Sequence, residues 1–141
     1  MRYVLDSSVA FKWVVPEQFS DKAQLLRHDF GNAVHDLFAP DVFAAELGHA
    51  LTRAERQGRL SPGETLTLWT EVMTTAPTLF PSVPLMPRAI SISSSVRMGS
   101  YDCLYVALAE KEKCEFVTAD DKLVKNLQSQ FPFIKHISTF P

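Results

Sequence analysis

Short apolar runs alternate along this chain with longer stretches whose apolar residues recur at helical spacing. Tyr3–Leu5 is the first run. Asp6, Ser7 and Ser8 follow it directly, which predicts a buried strand presenting Asp6 at its end. Val9–Val15 predicts a short helix stopped by Pro16, and a second helix opens at Ser20, buries Ala23, Leu26 and Phe30, and ends at Gly31. Leu37–Ala39 reads as the next strand. Pro40 and Asp41 then start a long helix that runs to Gln57, with Phe43, Leu47, Ala50, Leu51 and Ala54 on one face. Ser61-Pro62-Gly63-Glu64 has the form of a capped helix start, with Ser61 as the cap. Pro81 limits Thr78–Val83 to a short edge strand. Pro87–Met98 predicts a helix closed by Gly99, and Ser100 caps the next helix, apolar around most of its circumference. Phe116–Thr118, Asp120–Gln128 and Phe133–Ile137 complete the pattern as strand, helix and strand.

Short strands alternating with helices imply an α/β fold on a mostly parallel sheet of about five strands. The 141-residue length predicts one domain spanning 1–141. A net charge of −2 sets up no overall field for nucleic acid or an anionic membrane, and leaves only a local basic rim to attract RNA. Cys103 and Cys114 lie along a mainly helical segment, about 16 Å apart at the helical rise, too far for a disulfide. Free thiols fit a reducing cytoplasm. Asp6 and Lys12 interrupt the N-terminal apolar run, and four prolines break the uncharged run Val72–Pro87, so neither predicts a signal peptide or membrane span. The expectation is a soluble, cytoplasmic protein.

Four acids stand out against this frame. In a parallel sheet with right-handed crossovers, all strands end on one edge and the helices that follow begin there. Asp6 follows the first strand and Asp120 follows the Phe116–Thr118 strand. Asp102 opens the helix leading into that strand, and Glu46 lies about 7 Å into the helix after strand two. All four should converge. Glu46 also falls on or beside a buried stripe, an unusual place for a lone acid. Converging carboxylates repel one another unless a cation compensates, and oxygen-only ligands suit Mg²⁺ or Mn²⁺ rather than zinc. No phosphate-binding glycine loop is present to imply a nucleotide cofactor.

VLDSS at the N-terminus, Glu46, YDCLYVALA and TADDKL occur in that order over essentially the whole chain. Together they resemble a PIN-domain ribonuclease, most closely a VapC-type toxin of a toxin–antitoxin pair. The resemblance implies a three-layer α/β/α sandwich and Mg²⁺- or Mn²⁺-dependent endonucleolytic cleavage of RNA. It also implies inhibition by a small cognate antitoxin, and a homodimer or a heteromer with that antitoxin. Asp6, Glu46, Asp102 and Asp120 take the acidic positions, with Asp6 and Asp102 holding the metal and Glu46 and Asp120 as further ligands or completing the pocket and orienting the attacking water. Ser8 and Thr118 take the supporting hydroxyl positions. Asp121 offers a second acid beside Asp120, although the spacing to Leu123 favours Asp120.

Other readings compete. Asp6 and Asp120 could cap helices, and Asp102 could offset a helix dipole worth about 0.3–1 kcal/mol. An aspartyl-nucleophile phosphatase would use Asp6, but Ser8 stands where its second acid belongs. A binding module that has lost turnover is a third reading, against which all four acids are present. Glu46-Leu47-Gly48-His49 has the Glu-x-x-His form of di-iron bundles without a second copy. Lys12, Arg53, Arg56, Arg59, Arg88 and Arg97 could rim an RNA site, while each alone reads as a solvated helix face. Trp13 and Trp69 read as core or interface rather than base-stacking platforms.

Overall fold

Arg2–Leu5 forms β1, the central strand of the fold. The computed structural model describes residues 1–141. After β1 come α1 (Ser7–Val14), α2 (Ser20–Gly31), β2 (Asp36–Pro40), α3 (Val42–Arg56) and α4 (Glu64–Met73). The chain continues through β3 (Thr78–Phe80), α5 (Met86–Val96), α6 (Ser100–Glu112), β4 (Glu115–Thr118), α7 (Asp121–Leu127) and β5 (Ile134–His136). The strands lie in the order β3-β2-β1-β4-β5. All four pairings are parallel, so the expected mostly parallel sheet is parallel throughout.

The crossovers from β1 to β2 and from β2 to β3 step one way, and those into β4 and β5 step the other. Right-handed connections therefore place α1–α4 on one face and α5–α7 on the other, the expected three-layer sandwich. Between β1 and β4 the direction of winding reverses. Such a switch point leaves a crevice outside the strand ends, where open α/β sheets bind ligands. Val4, Leu5, Phe116 and Val117 are fully buried beneath it. α6 buries seven consecutive residues, Cys103–Ala109, as its all-round apolar sequence requires.

Several boundaries differ from expectation for local reasons. α1 begins at Ser7 because the Asp6 carbonyl at once accepts Val9 N–H at 3.0 Å. Ser20 is not the cap of α2. Phe19 takes that place at φ 66°, and the Ser20 hydroxyl instead accepts the Glu17 N–H at 2.9 Å. Likewise α4 starts at Glu64, after Gly63 at φ 87°, although the Glu64 carboxylate still accepts the Ser61 N–H at 2.7 Å. α5 ends on Arg97 in the left-handed region, which leaves Gly99 to cap α6 and Ser100 inside it. Both cysteines are free. Both tryptophans serve packing: the Trp13 indole donates to the Ala23 carbonyl, and that of Trp69 to the Ala44 carbonyl, each at 2.9 Å. No helix is long and apolar enough to cross a membrane.

Gly48 sits inside α3, where a Cβ would meet the Trp69 ring at 3.7 Å, an ordinary contact. Gly48→Ala should therefore stabilise the fold by about 0.5–1 kcal/mol through helix propensity. A higher urea midpoint is expected; a lower one would show that Trp69 is packed more tightly than this.

Candidate active site

The site is built around Asp6. Its N–H donates to the Val117 carbonyl at 3.0 Å, continuing the β1–β4 ladder one residue beyond the strand. The side chain is only 6% exposed. Its Oδ2 accepts the Ser8 hydroxyl at 2.8 Å and the Thr118 hydroxyl at 2.6 Å. Those hydroxyls are themselves engaged as acceptors: Ser8 Oγ takes the Ala119 N–H at 3.0 Å, and Thr118 Oγ1 takes the Asp120 N–H at 3.1 Å. A closed set of hydrogen bonds thus ties the end of β1 to the end of β4. Ser8, where a phosphatase would carry its second acid, is committed to Asp6. Burial pushes the Asp6 carboxyl above its ordinary range, the two hydroxyls pull it back, and the Asp120 charge pushes it up again.

Glu46 enters from the second turn of α3, and Tyr105 of α6 donates its hydroxyl to Glu46 Oε1 at 2.7 Å. Partial burial, aided by the charges of Asp6 and Asp102, raises Glu46 from 4.5 to about 7 against the pull of that hydrogen bond. Asp102, in the first turn of α6, rises from 3.8 to about 6, through burial and then the charges of Asp6 and Asp120. Asp120 takes the capping role open to it. Its Oδ1 caps α7 by accepting the N–H groups of Lys122 and Leu123 at 3.0 and 3.2 Å, and the residue also lines the cleft. Asp121 points elsewhere: its side chain is 94% exposed and pairs with His136 at 2.9 Å.

All four expected acids line one cleft of about 990 Å³. No three of them are gathered into a ready-made ligand set. Their chemistry still fits a hard divalent cation. The donors are all oxygen, Asp6 is buried without a counter-charge, and the acids raise one another's pKa, the electrostatic deficit that a cation removes. Of the basic residues considered from sequence, Lys12, Arg53 and Arg59 line the cleft, whereas Arg56, Arg88 and Arg97 do not. His49 also reaches the cleft wall. Two contributors are not evident from sequence. Tyr105 reads there only as an apolar helix position, though a buried tyrosine hydroxyl needs a partner. Glu17 has no distinguishing pattern around it, yet it lies in the cleft and pairs with both Lys12 and Arg59.

The sequence model of the PIN domain matches residues 3–126. The chain belongs to the PIN-domain family. Among curated relatives, the VapC ribonuclease Mb0985 of Mycobacterium bovis and ribonuclease VapC9 of Mycobacterium tuberculosis are each 33% identical to this PIN domain over 103 residues. Those alignments cover 71% of this chain and 77% of theirs. Two solved structures share the fold. PAE2754 from Pyrobaculum aerophilum gives a TM-score of 0.69 at 20% identity, covering 99% of this chain and 94% of that one. VapBC2 from Rickettsia felis, bound to a DNA fragment from its promoter, gives 0.62 at 14% identity, covering 96% and 98%.

The raised carboxyls give the metal-free PIN domain a definite pH response. From about pH 4 to about pH 7 the folded state holds protons on Asp102 and Glu46 that the unfolded chain has already released, so stability falls as pH rises through that window. In chelator the urea midpoint should drop between pH 5 and pH 8. Glu46→Gln should remove part of that drop, and a midpoint that holds or climbs would contradict the electrostatics described here.

Proposed function

We propose that residues 1–141 act as one catalytic unit, a Mg²⁺- or Mn²⁺-dependent endoribonuclease that is the toxin of a cytoplasmic toxin–antitoxin pair. The observation that carries the reading is the convergence of four carboxylates on the switch-point cleft, with Asp6 buried among them and no cationic side chain neutralising it. The VapC names of its relatives supply the substrate class, RNA, and the VapBC complex among its structural neighbours supplies the partner class, a small antitoxin.

Asp6 and Asp102 would hold the cation, with Glu46 and Asp120 completing the acidic pocket or orienting the attacking water. A bound divalent ion supplies water activation and neutralisation of the charge that develops on a phosphodiester. The protein's own contribution is positional. Ser8 and Thr118 engage Asp6 Oδ2, which leaves Oδ1 for a ligand. Tyr105 engages Glu46 Oε1 in the same way, so Oε2 remains available to a water or its proton. Asp120 is held by its capping bonds through Oδ1 and lines the cleft, which leaves Oδ2 without a protein partner.

Purified protein should cut an RNA pool when Mg²⁺ or Mn²⁺ is present and stop when EDTA is added. Asp6→Asn and Asp102→Asn should each lower cleavage at least about a hundredfold, since they remove several kcal/mol of charge stabilisation. Circular dichroism should show both variants folded. Undiminished cleavage by Asp6→Asn would sink the assignment.

A further inference from the structure

The cleft has a second end. α1 presents Ser8 beside the acids and Lys12 one turn later, about 6 Å along its axis. α3 does the same on its cleft-facing side, with Glu46 followed by Ala50, Arg53 and Gln57 at spacings of four, seven and eleven. Both helices therefore lead from carboxylates to cations. Arg59, just beyond α3, joins them from across the cleft, its guanidinium lying 5.6 Å from the centre of the Phe11 ring.

Between these cations sits Glu17, from the turn joining α1 to α2. Its Oε1 takes Lys12 Nζ at 3.1 Å and its Oε2 takes Arg59 Nη2 at 2.8 Å. The Lys12 side chain is 11% exposed, so its ammonium group has little water to replace that carboxylate. One carboxylate shared by two cations leaves a net charge of +1, and the exposed Arg53 makes it +2. A phosphodiester offers the same face as a carboxylate, two oxygens sharing one negative charge, to the same donors.

We propose that Lys12 and Arg59 form a subsite for an RNA backbone phosphate next to the carboxylate pocket, and that Glu17 fills this subsite until RNA displaces it. The proposal rests on the ribonuclease reading and adds the path of the strand. A phosphate anchored at the basic end brings a neighbouring phosphodiester onto the acids. A purely structural role for the same ion pairs, stitching α1 to the end of α3, makes a different forecast for Glu17: its loss would strip the little-exposed Lys12 of its partner, lower stability and gain RNA nothing.

Binding of a short, unstructured RNA to the full-length protein in EDTA, where nothing is cut, separates these roles. Dissociation constants are measured between about 50 and 200 mM salt. Arg59→Ala and Lys12→Met should weaken binding and flatten the dependence of log K on log salt by about 0.7 for each phosphate no longer engaged. Glu17→Gln should tighten binding several-fold and steepen that slope. Glu110→Gln is the control: it makes the same charge change and frees Arg88, but outside the cleft, so it should leave the affinity within about twofold through screening. An unchanged slope in Arg59→Ala, at an exposed site that tolerates truncation, overturns the proposal. So does a Glu17→Gln effect no larger than that of Glu110→Gln, or no binding by the wild type at the lowest salt. Wild-type protein that fails to cut the same RNA with Mg²⁺ or Mn²⁺ sinks the ribonuclease reading itself. Cleavage with unaltered slopes sinks only the subsite.

Discussion

At the end of the central strand a carboxylate is buried with two hydroxyls on one of its oxygens, and the geometry of the cleft depends on that arrangement. Asp6 accepts Ser8 and Thr118, and the same two hydroxyls fix the backbone of Ala119 and Asp120. Hydrogen bonds to a charged group are worth about 1.5–3 kcal/mol each, far less than it costs to bury an uncompensated charge. The hydroxyls therefore set position without balancing charge. Asp6 is held in place and remains electrostatically unsatisfied, as the proposed role of cation ligand requires.

The other acids repeat this division of labour. Asp102 and Asp120 stand at helix starts, where the dipole contributes about 0.3–1 kcal/mol in their favour, yet Asp102 is still driven upward by burial and by its neighbours. Tyr105 holds Glu46 by one hydrogen bond while burial, and then the charges of Asp6 and Asp102, push its pKa up to about 7. The fold accepts this repulsion because strands and helices end at one edge whatever their side chains prefer. Function has been placed where the backbone already converges, and stability is given up there.

That convergence was legible in the sequence because it follows from element order. An acid directly after an apolar run must lie at the strand end, and parallel topology brings such ends together. Caps were less legible. Phe19 and Arg97 adopt positive φ without being glycine, and no local residue preference announces that. Least legible were contacts joining distant segments. The partner of the Tyr105 hydroxyl is fixed by how α6 crosses α3, and the meeting of Lys12, Glu17 and Arg59 depends on three separate pieces of chain. The spacing to Leu123 already favoured Asp120 over Asp121, and the turn into α7 completes the separation by directing one to the cleft and the other to His136.

The bond from Thr118 to Asp6 spans 112 positions in sequence. Closing a loop of that length costs about 4 kcal/mol of chain entropy before any contact across it is made. β1 is the first strand to be synthesised, yet its β4 neighbour emerges only after six helices and two other strands. A partly translated chain can carry Asp6 and Glu46, but it has neither the Thr118 hydroxyl that fixes the first nor the Tyr105 hydroxyl that fixes the second. The pocket is thus completed late in folding. A nascent chain therefore has no complete carboxylate pocket until Tyr105 and Thr118 have been made and packed against β1 and α3.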